Sequence, residues 1–357
     1  MYTRVLLVGN DPSVKGGITS VITQILSHDW ESENIDMTFI PTYIETNTVN
    51  KVLYYIKAYI KIRRLLKNKK IDVVHIHMSY RGSFYRKYLI HKLCRKYQVR
   101  DIVHLHGSEF KKWYDESNSF QQSKIRKLLK ESWAFIVLGN EWNETIKEIE
   151  PSTNTIIVSN TVAMTKEIVT WNEDVFQILF LGVLLKRKGV EDLLKAITLL
   201  KDHNLVGKIK VIIAGEGEEK GVLKDYCNHN NLNDIVEFVG WIDGKKKVSL
   251  LKESQMLVLP SYNEGLPIAI LEAISYGMPI VASDVGDVKA AVHDGENGYL
   301  IKAGDAEMLS ECIHRISSNR ELYESMVNES KKIAKNNFSD EKYFKQLKTC
   351  YEGVQED

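Results

Sequence analysis

The sequence has few of the residues that mark extracellular, fibrous or membrane-spanning proteins. Its 357 residues include four cysteines and six prolines. The cysteines are scattered, with neither a Cys-x-x-Cys pair nor metal-ligand spacing, which favours a reduced, cytoplasmic protein. An ordinary apolar fraction of 44% excludes collagen, coiled coil and disorder as the main architecture. The first apolar run, residues 5–8, is too short for a signal peptide, and no later run reaches a membrane span.

Acidic residues are scarce in one part of the chain. Residues 50–100 contain fifteen Lys and Arg but a single acid, Asp72. A solvated face is the usual explanation of such a run. This run is interleaved with tyrosines and also suits the inner face of an anionic membrane. Each basic residue near such a surface adds about 1 kcal/mol to the free energy of membrane binding. No helix-turn-helix, RNA-binding sheet motif or zinc spacing accompanies it, so nucleic acid is not an expected partner.

Short apolar strands alternate with helical patterns in two successive sets. This order predicts an α/β protein with two doubly wound, Rossmann-like domains facing each other across a cleft. We expect a first domain at residues 1–165 and a second at 166–338, with a polar linker near 162–174. A final helix within 339–357 is expected to pack back on the first domain. Residues 1–165 carry 24 Lys and Arg against 16 Asp and Glu, and the remainder 24 against 31, so the two halves face different partners.

One strand, loop and helix between residues 256 and 280 carries the main chemical signal. Pro267 fits the first turn of a helix, and Gly277 fits its left-handed cap. The helix between them is apolar on every side except at Glu272. A carboxylate there needs a partner, and no Lys or Arg lies three or four residues away. Glu272 therefore either faces out through a gap or binds a ligand.

A second carboxylate, Glu264, precedes Glu272 by eight residues. Both carboxylates can address a ligand at the helix N-terminus, whose free N–H groups favour an anion such as phosphate. Carboxylates for hydroxyls and N–H groups for a diphosphate together suit a sugar nucleotide.

This segment closely resembles the Glu-x7-Glu signature of the retaining glycosyltransferases of family 4, which have the GT-B fold. The resemblance implies that Glu264 contacts the transferred sugar and that Glu272 holds the nucleotide ribose. The flanking Gly265 and Leu266 are expected to contact the donor too.

Other segments resemble the same family. Residues 183–189 are similar to its Gly-Arg-x4-Lys-Gly loop, which implies that Lys188 holds the departing diphosphate. Val183 stands where the family has Arg, and loss of that cation raises the barrier by a few kcal/mol unless Arg187 or Lys186 compensates. Gly240 follows a strand where the family docks the nucleotide base.

In the first domain, the resemblance covers a glycine loop and a His-Gly pair. Gly16 and Gly17 follow the first strand, as in the family's donor loop, although a plain turn explains them equally well. His106 ends a strand before Gly107, which implies contact with the transferred sugar. Two-residue spacing puts His75 with His77, and His104 with His106, on shared strand faces. No carboxylate or cysteine completes a metal site, so we expect none and interpret the other three histidines as structural.

The resemblance implies a metal-independent, retaining glycosyltransferase without a cofactor. The donor is expected to be a nucleotide-diphosphate sugar, by family frequency a uridine one, and the acceptor a bacterial surface polysaccharide or lipid-linked glycan. The leaving phosphate would help to take the acceptor's proton. Two alternatives remain at this point, namely a nucleotide-sugar epimerase of the same architecture and a non-catalytic, nucleotide-sugar-binding partner subunit, which Val183 makes conceivable.

Overall fold

A computed structural model describes residues 2–202 and 207–353. Contacts divide the chain into two units, Met1–Ser159 with Tyr343–Asp357, and Asn160–Lys342. Within the described residues, each unit contains one six-stranded parallel sheet. The expected final helix at 339–357 is observed as far as Glu352, and its last positions, 354–357, lie outside the described residues.

The first unit alternates strands and helices from its first residues. Its strands are β1 (Thr3–Gly9), β2 (Ile35–Pro41), β3 (Val73–Met78), β4 (Arg100–Leu105), β5 (Ala134–Val137) and β6 (Thr155–Ile157). Its helices before residue 160 are α1 (Gly17–Ser27), α2 (Thr48–Lys67), α3 (Gly82–Tyr97), α4 (Phe110–Asp115), α5 (Ser119–Glu131) and α6 (Asn140–Ile149). The sheet order is β2-β1-β3-β4-β5-β6.

In the central strands of this sheet, every residue of β3 and every residue of β4 after Arg100 is buried, as expected where helices cover both faces. Their apolar runs are therefore predictable from the sequence. Strand β2 is not predicted, because it pairs only with β1 at the sheet edge and has exposed and half-exposed positions. Lys87, counted above in the basic run, is buried on α3, where its ammonium donates to the Thr42 hydroxyl.

The second unit repeats the plan. Its strands are β7 (Phe176–Leu181), β8 (Ile209–Ala214), β9 (Val236–Gly240), β10 (Met256–Leu259), β11 (Ile280–Ser283) and β12 (Gly298–Ile301). Its helices are α7 (Val190–Asp202), α8 (Lys220–His229), α9 (Gly244–Glu253), α10 (Ile268–Ser275), α11 (Ala306–Ser317) and α12 (Arg320–Asn337), and α13 (Asp340–Glu352) continues into the first unit. The sheet order is β12-β11-β10-β7-β8-β9.

Each sheet reverses its strand order at one place. The chain moves outward from β7 through β8 to β9, then returns to place β10 on the other side of β7. The first sheet reverses in the same way between β1 and β3. Ligands of open α/β sheets bind outside the carboxyl ends of the strands at such a switch point. The loops after β7 and β10, and those after β1 and β3, are therefore the places to look for function.

The junction between the units is irregular. Residues 158–175, described throughout, contain no helix and only an isolated bridge, between Val162 and Ser339. Thr161 adds a hydrogen bond of 2.7 Å from its hydroxyl to the Phe338 carbonyl. Across the described residues, none of the helices has the length and apolar content that crossing a membrane requires.

Candidate functional site

An ion pair lies at the switch point of the second sheet. Lys188 follows β7, and Glu264 follows β10. The Lys188 ammonium donates to Glu264 Oε1 at 2.5 Å, and the Ser261 hydroxyl donates to the same oxygen at 2.8 Å. The side chains are 14% and 8% exposed, so the charges face a largely dry environment. The structure thus brings together two residues that lie 76 positions apart in the sequence. The sequence predicts that both belong to one site.

Gly189 makes this approach feasible. It adopts a φ of +67°, and a Cβ atom there would lie 1.9 Å from the Pro260 carbonyl oxygen. The loop after β7 therefore packs its backbone directly against the end of β10. Only a residue without a side chain permits this contact.

The neighbouring cations differ in their surroundings. Arg187 is half-buried and donates from Nη1 to the Asn263 carbonyl at 3.2 Å, while its own carbonyl accepts from Tyr262 N–H at 2.8 Å. Lys186 is exposed. Val183 stands where the family has Arg, and Arg187 and Lys186 are the two cations that could compensate. Of these two, Arg187 is the one that forms hydrogen bonds with the loop containing Glu264.

Glu272 has a protein partner that the sequence does not reveal. It projects from α10, whose Ile270, Leu271, Ala273 and Ile274 are buried. The Lys247 ammonium, from α9, donates to Glu272 Oε1, and the two side chains are 30% and 19% exposed. The protein therefore supplies a counterion for Glu272, in addition to the two possibilities that the sequence offers, namely an outward-facing carboxylate and a bound ligand. The counterion comes from another helix, 25 residues earlier.

Gly265 and Leu266 connect Glu264 to α10 through their backbones. The Gly265 carbonyl accepts from Asp287 N–H at 3.2 Å. The Leu266 carbonyl accepts from the Asn160 amide at 2.8 Å, and its side chain is buried. These bonds fix the direction in which α10 begins. Gly240 lies elsewhere, at the end of edge strand β9, with a φ of +74° and the Glu216 carboxylate beside it.

In the first unit, His106 follows β4 and pairs with His77 of β3. His106 Nε2 lies 2.8 Å from His77 Nδ1, and the rings stack at 5.0 Å. Burial lowers the pKa of His106 to about 3, so its imidazole is neutral at ordinary pH. His106 therefore offers a neutral hydrogen-bonding group rather than a positive charge.

Two further imidazoles, those of His75 and His104, lie beside this pair. Nitrogen atoms of His75, His77 and His104 lie within 4.8 Å of one another in the core. His75 uses both nitrogens, one with the Tyr351 hydroxyl at 2.8 Å and one with His104 at 3.3 Å. The rings thus form a hydrogen-bonded core that connects β3 and β4 to α13.

The predicted glycine loop lies between β1 and α1. Gly16 precedes the helix with a φ of +137°, and Gly17 is its first residue. Nearby, the Tyr54 hydroxyl of α2 donates to Asp11 at 2.8 Å. A surface cavity of 680 Å³, lined by Tyr2 and Arg4 among others, contains none of the predicted site residues and lies at the amino ends of β1 and β2.

Two doubly wound sheets, with a charged pair at the switch point of the second, define a two-domain α/β protein of GT-B architecture. The family model described as "Glycosyltransferase Family 4" matches residues 20–165, and "Glycosyl transferases group 1" matches residues 163–333. The chain belongs to the GT-B glycosyltransferases of the family 4 type.

Similar proteins agree with this assignment. An Escherichia coli protein named UDP-Gal:alpha-D-GlcNAc-diphosphoundecaprenol alpha-1,3-galactosyltransferase is 27% identical over 345 residues, covering 90% of this chain and 85% of that protein. An uncharacterized glycosyltransferase of Methanocaldococcus jannaschii is 30% identical over 180 residues, and that match spans half of this chain and 45% of that protein.

Solved structures share the fold. Sucrose-phosphate synthase from Thermosynechococcus elongatus superposes with a TM-score of 0.81 at 16% identity, covering 99% of both chains. HepE of Anabaena, solved in complex with UDP, gives 0.76 at 14% identity, covering 98% of this chain and 100% of that one. At these identities the likeness extends to the fold alone.

Proposed function

We propose that this glycosyltransferase moves a sugar from a uridine diphosphate donor to an acceptor hydroxyl, with retention at the anomeric carbon. The observation that carries the proposal is the ion pair between Lys188 and Glu264 at the switch point. The names of two similar proteins support a uridine donor, since HepE was solved with UDP and the E. coli relative is named for UDP-Gal.

Each site residue has a role in this proposal. Glu264 orients the transferred sugar through its hydroxyls, and Glu272 accepts hydrogen bonds from the ribose. Lys188, the N–H groups at the start of α10 and Arg187 offset the charge on the leaving diphosphate. Gly265 and Leu266 contact the donor beside Glu264.

The remaining predicted residues serve the nucleotide base and the sugar. Gly240 lets the base approach the backbone, while Gly16, Gly17 and His106 of the first unit contact donor or sugar. No metal ion and no cofactor takes part in this scheme, because protein cations and N–H groups supply the positive charge.

The proposed chemical step exchanges one bond at the anomeric carbon. Its bond to the diphosphate oxygen breaks, and the acceptor oxygen bonds to the same face of the sugar. The acceptor's proton passes to the departing phosphate oxygen. Stabilisation of charge on that phosphate is the largest contribution expected of the protein.

The proposed acceptor is a surface polysaccharide or lipid-linked glycan, reached at an anionic membrane surface. Support comes from α2 and α3, which present exposed apolar side chains within the basic 50–100 segment or directly beside it. These exposed side chains are Val49, Val52, Leu53, Ile56 and Ile60 on α2, and Tyr85 and Leu89 on α3. Apolar groups within a basic surface fit the interface of an anionic bilayer.

The test is a donor screen followed by turnover. We expect uridine diphosphate sugars, rather than guanosine or adenosine ones, to raise the melting temperature and to be consumed with a lipid-linked acceptor, giving a product of retained anomeric configuration by NMR. Lys188→Met is expected to lower kcat about 100-fold. Lys186→Met, which removes an exposed lysine of the same loop, is the matched control.

Three outcomes would contradict the proposal. Interconversion of donor sugars without an acceptor would identify an epimerase. Donor binding without turnover, even with acceptor extracts, would identify a partner subunit. Equal loss of activity in the Lys186 and Lys188 variants would remove the specific role of Lys188.

A further inference from the structure

Helix α9 presents three consecutive lysines, of which one differs from the others. Lys245 and Lys246 are exposed, whereas Lys247 is half-buried and donates to Glu272. The pair connects a helix that precedes β10 to one that follows it. Lys247 is therefore positioned by the tertiary fold and not only by its place in a basic run.

The contact leaves part of the Glu272 carboxylate available. Lys247 binds Oε1, and Oε2 makes no hydrogen bond with any residue in the described ranges. A carboxylate oxygen accepts two hydrogen bonds. The fixed carboxylate can therefore receive hydroxyl donors on Oε2 while Lys247 holds its orientation.

Charge gives Lys247 a second effect. A nucleoside diphosphate is an anion, and a bare carboxylate beside it would repel it. In this structure Glu264 forms an ion pair with Lys188, and Glu272 forms one with Lys247. Each pair is close to neutral, which removes most of that repulsion at a site where Val183 supplies no cation.

We propose that Lys247 is a positioning residue of the donor site, which acts through Glu272. It holds the Glu272 carboxylate for the ribose hydroxyls and offsets its charge toward the diphosphate. This inference rests on the proposed function, because it takes Glu272 to be the ribose-binding group.

The test measures equilibrium binding, which does not depend on turnover. Titration calorimetry with UDP is expected to give about tenfold weaker binding to Lys247→Met than to the native protein, since a hydrogen bond to a charged group is lost. Lys246→Met is the matched control and should bind as the native protein does. Lys247→Arg, which keeps a cation, should recover most of the affinity.

A second ligand separates positioning from general charge or folding effects. With 2′,3′-dideoxyuridine diphosphate, which lacks both ribose hydroxyls but keeps the diphosphate, the native protein and Lys247→Met should differ by less than tenfold, because only the effect on charge remains. At saturating donor the variant's kcat should be close to native, with the change confined to the donor KM.

Each contrary result has a distinct meaning. If the native protein does not bind UDP, the proposed donor class is wrong. If the native protein binds UDP and Lys247→Met binds it equally well, the role of Lys247 is wrong. Tighter binding by Lys247→Met would show that Lys247 competes with the ribose for Glu272, which also overturns the inference.

Discussion

Single residues decide how closely the two switch-point loops approach. The ion pair of Lys188 and Glu264 forms because the backbone at Gly189 touches the Pro260 carbonyl. Ser261 then orients the Glu264 carboxylate with its hydroxyl. The geometry of the charges thus depends on a neighbouring glycine that bears no charge itself.

Gly189→Ala is expected to damage both stability and activity. The added Cβ would lie 1.9 Å from the Pro260 oxygen at a φ of +67°, so the loop must move. We expect a loss of at least about 2 kcal/mol in unfolding free energy, measured by urea denaturation, and a fall in kcat.

Gly221→Ala is the control for this substitution. Gly221 lies in α8, and apart from its chain neighbours and the backbone of α8 no atom of the described residues lies within 4 Å of the position its Cβ would take. Alanine should be neutral or slightly stabilising there. A native-like melting curve for Gly189→Ala would show that the close packing at Pro260 is unnecessary.

At the scale of elements, helix α2 combines a buried stripe with an apolar exposed one. Ala58, Ile62 and Leu66 face the core, while Ile56 and Ile60 are 45% and 44% exposed. An apolar stripe on both sides is unusual for a surface helix that contacts only water.

Ile56→Glu with Ile60→Glu is therefore expected to weaken binding to anionic vesicles about tenfold or more in a flotation assay, since two apolar contacts are replaced by negative charges. Val222→Glu on α8 is the control, because Val222 is 60% exposed but lies in the second unit. Unchanged flotation of the double variant would contradict the proposed membrane surface.

The elements were predictable where the local sequence determines them. Apolar runs such as those of β3 and β4 indicate central strands. Gly277, with a φ of +83°, ends α10 as the sequence predicts. Long-range pairing leaves no such local pattern. Lys247 and Glu272 are 25 residues apart, and neither sequence position indicates the other.

The basic run illustrates the same limit. Its composition suggests a surface, yet Lys87 lies in the core with a pKa lowered by burial. Which side of α3 faces the sheet depends on how α2 and β3 pack against it. A count of charges carries no information about that orientation.

At the scale of the whole molecule, the first unit contains a cluster of histidine side chains whose pKa values are lowered. Burial is the main cause that lowers the pKa of His75 to about 3 and the pKa values of His77 and His104 well below 6.5. The same cause acts on His106. These four rings link β3 and β4 to α13, so their protonation opposes the fold of the entire unit.

Stability should therefore fall steeply in mild acid. In the unfolded chain each histidine has a pKa of about 6.5, so below that pH it binds a proton that the folded unit excludes. The contribution is complete above about pH 6.5 and is lost progressively as the pH falls below that value, by about 1.4 kcal/mol per pH unit for each histidine that stays neutral in the folded unit. Urea denaturation followed by circular dichroism between pH 7.5 and 5.5 measures the slope.

His104→Phe should reduce this slope by about one histidine's share. His229→Gln, at an exposed position of the second unit, should leave the slope unchanged. An equal slope in the native protein and His104→Phe would show that the buried imidazoles do not govern acid stability.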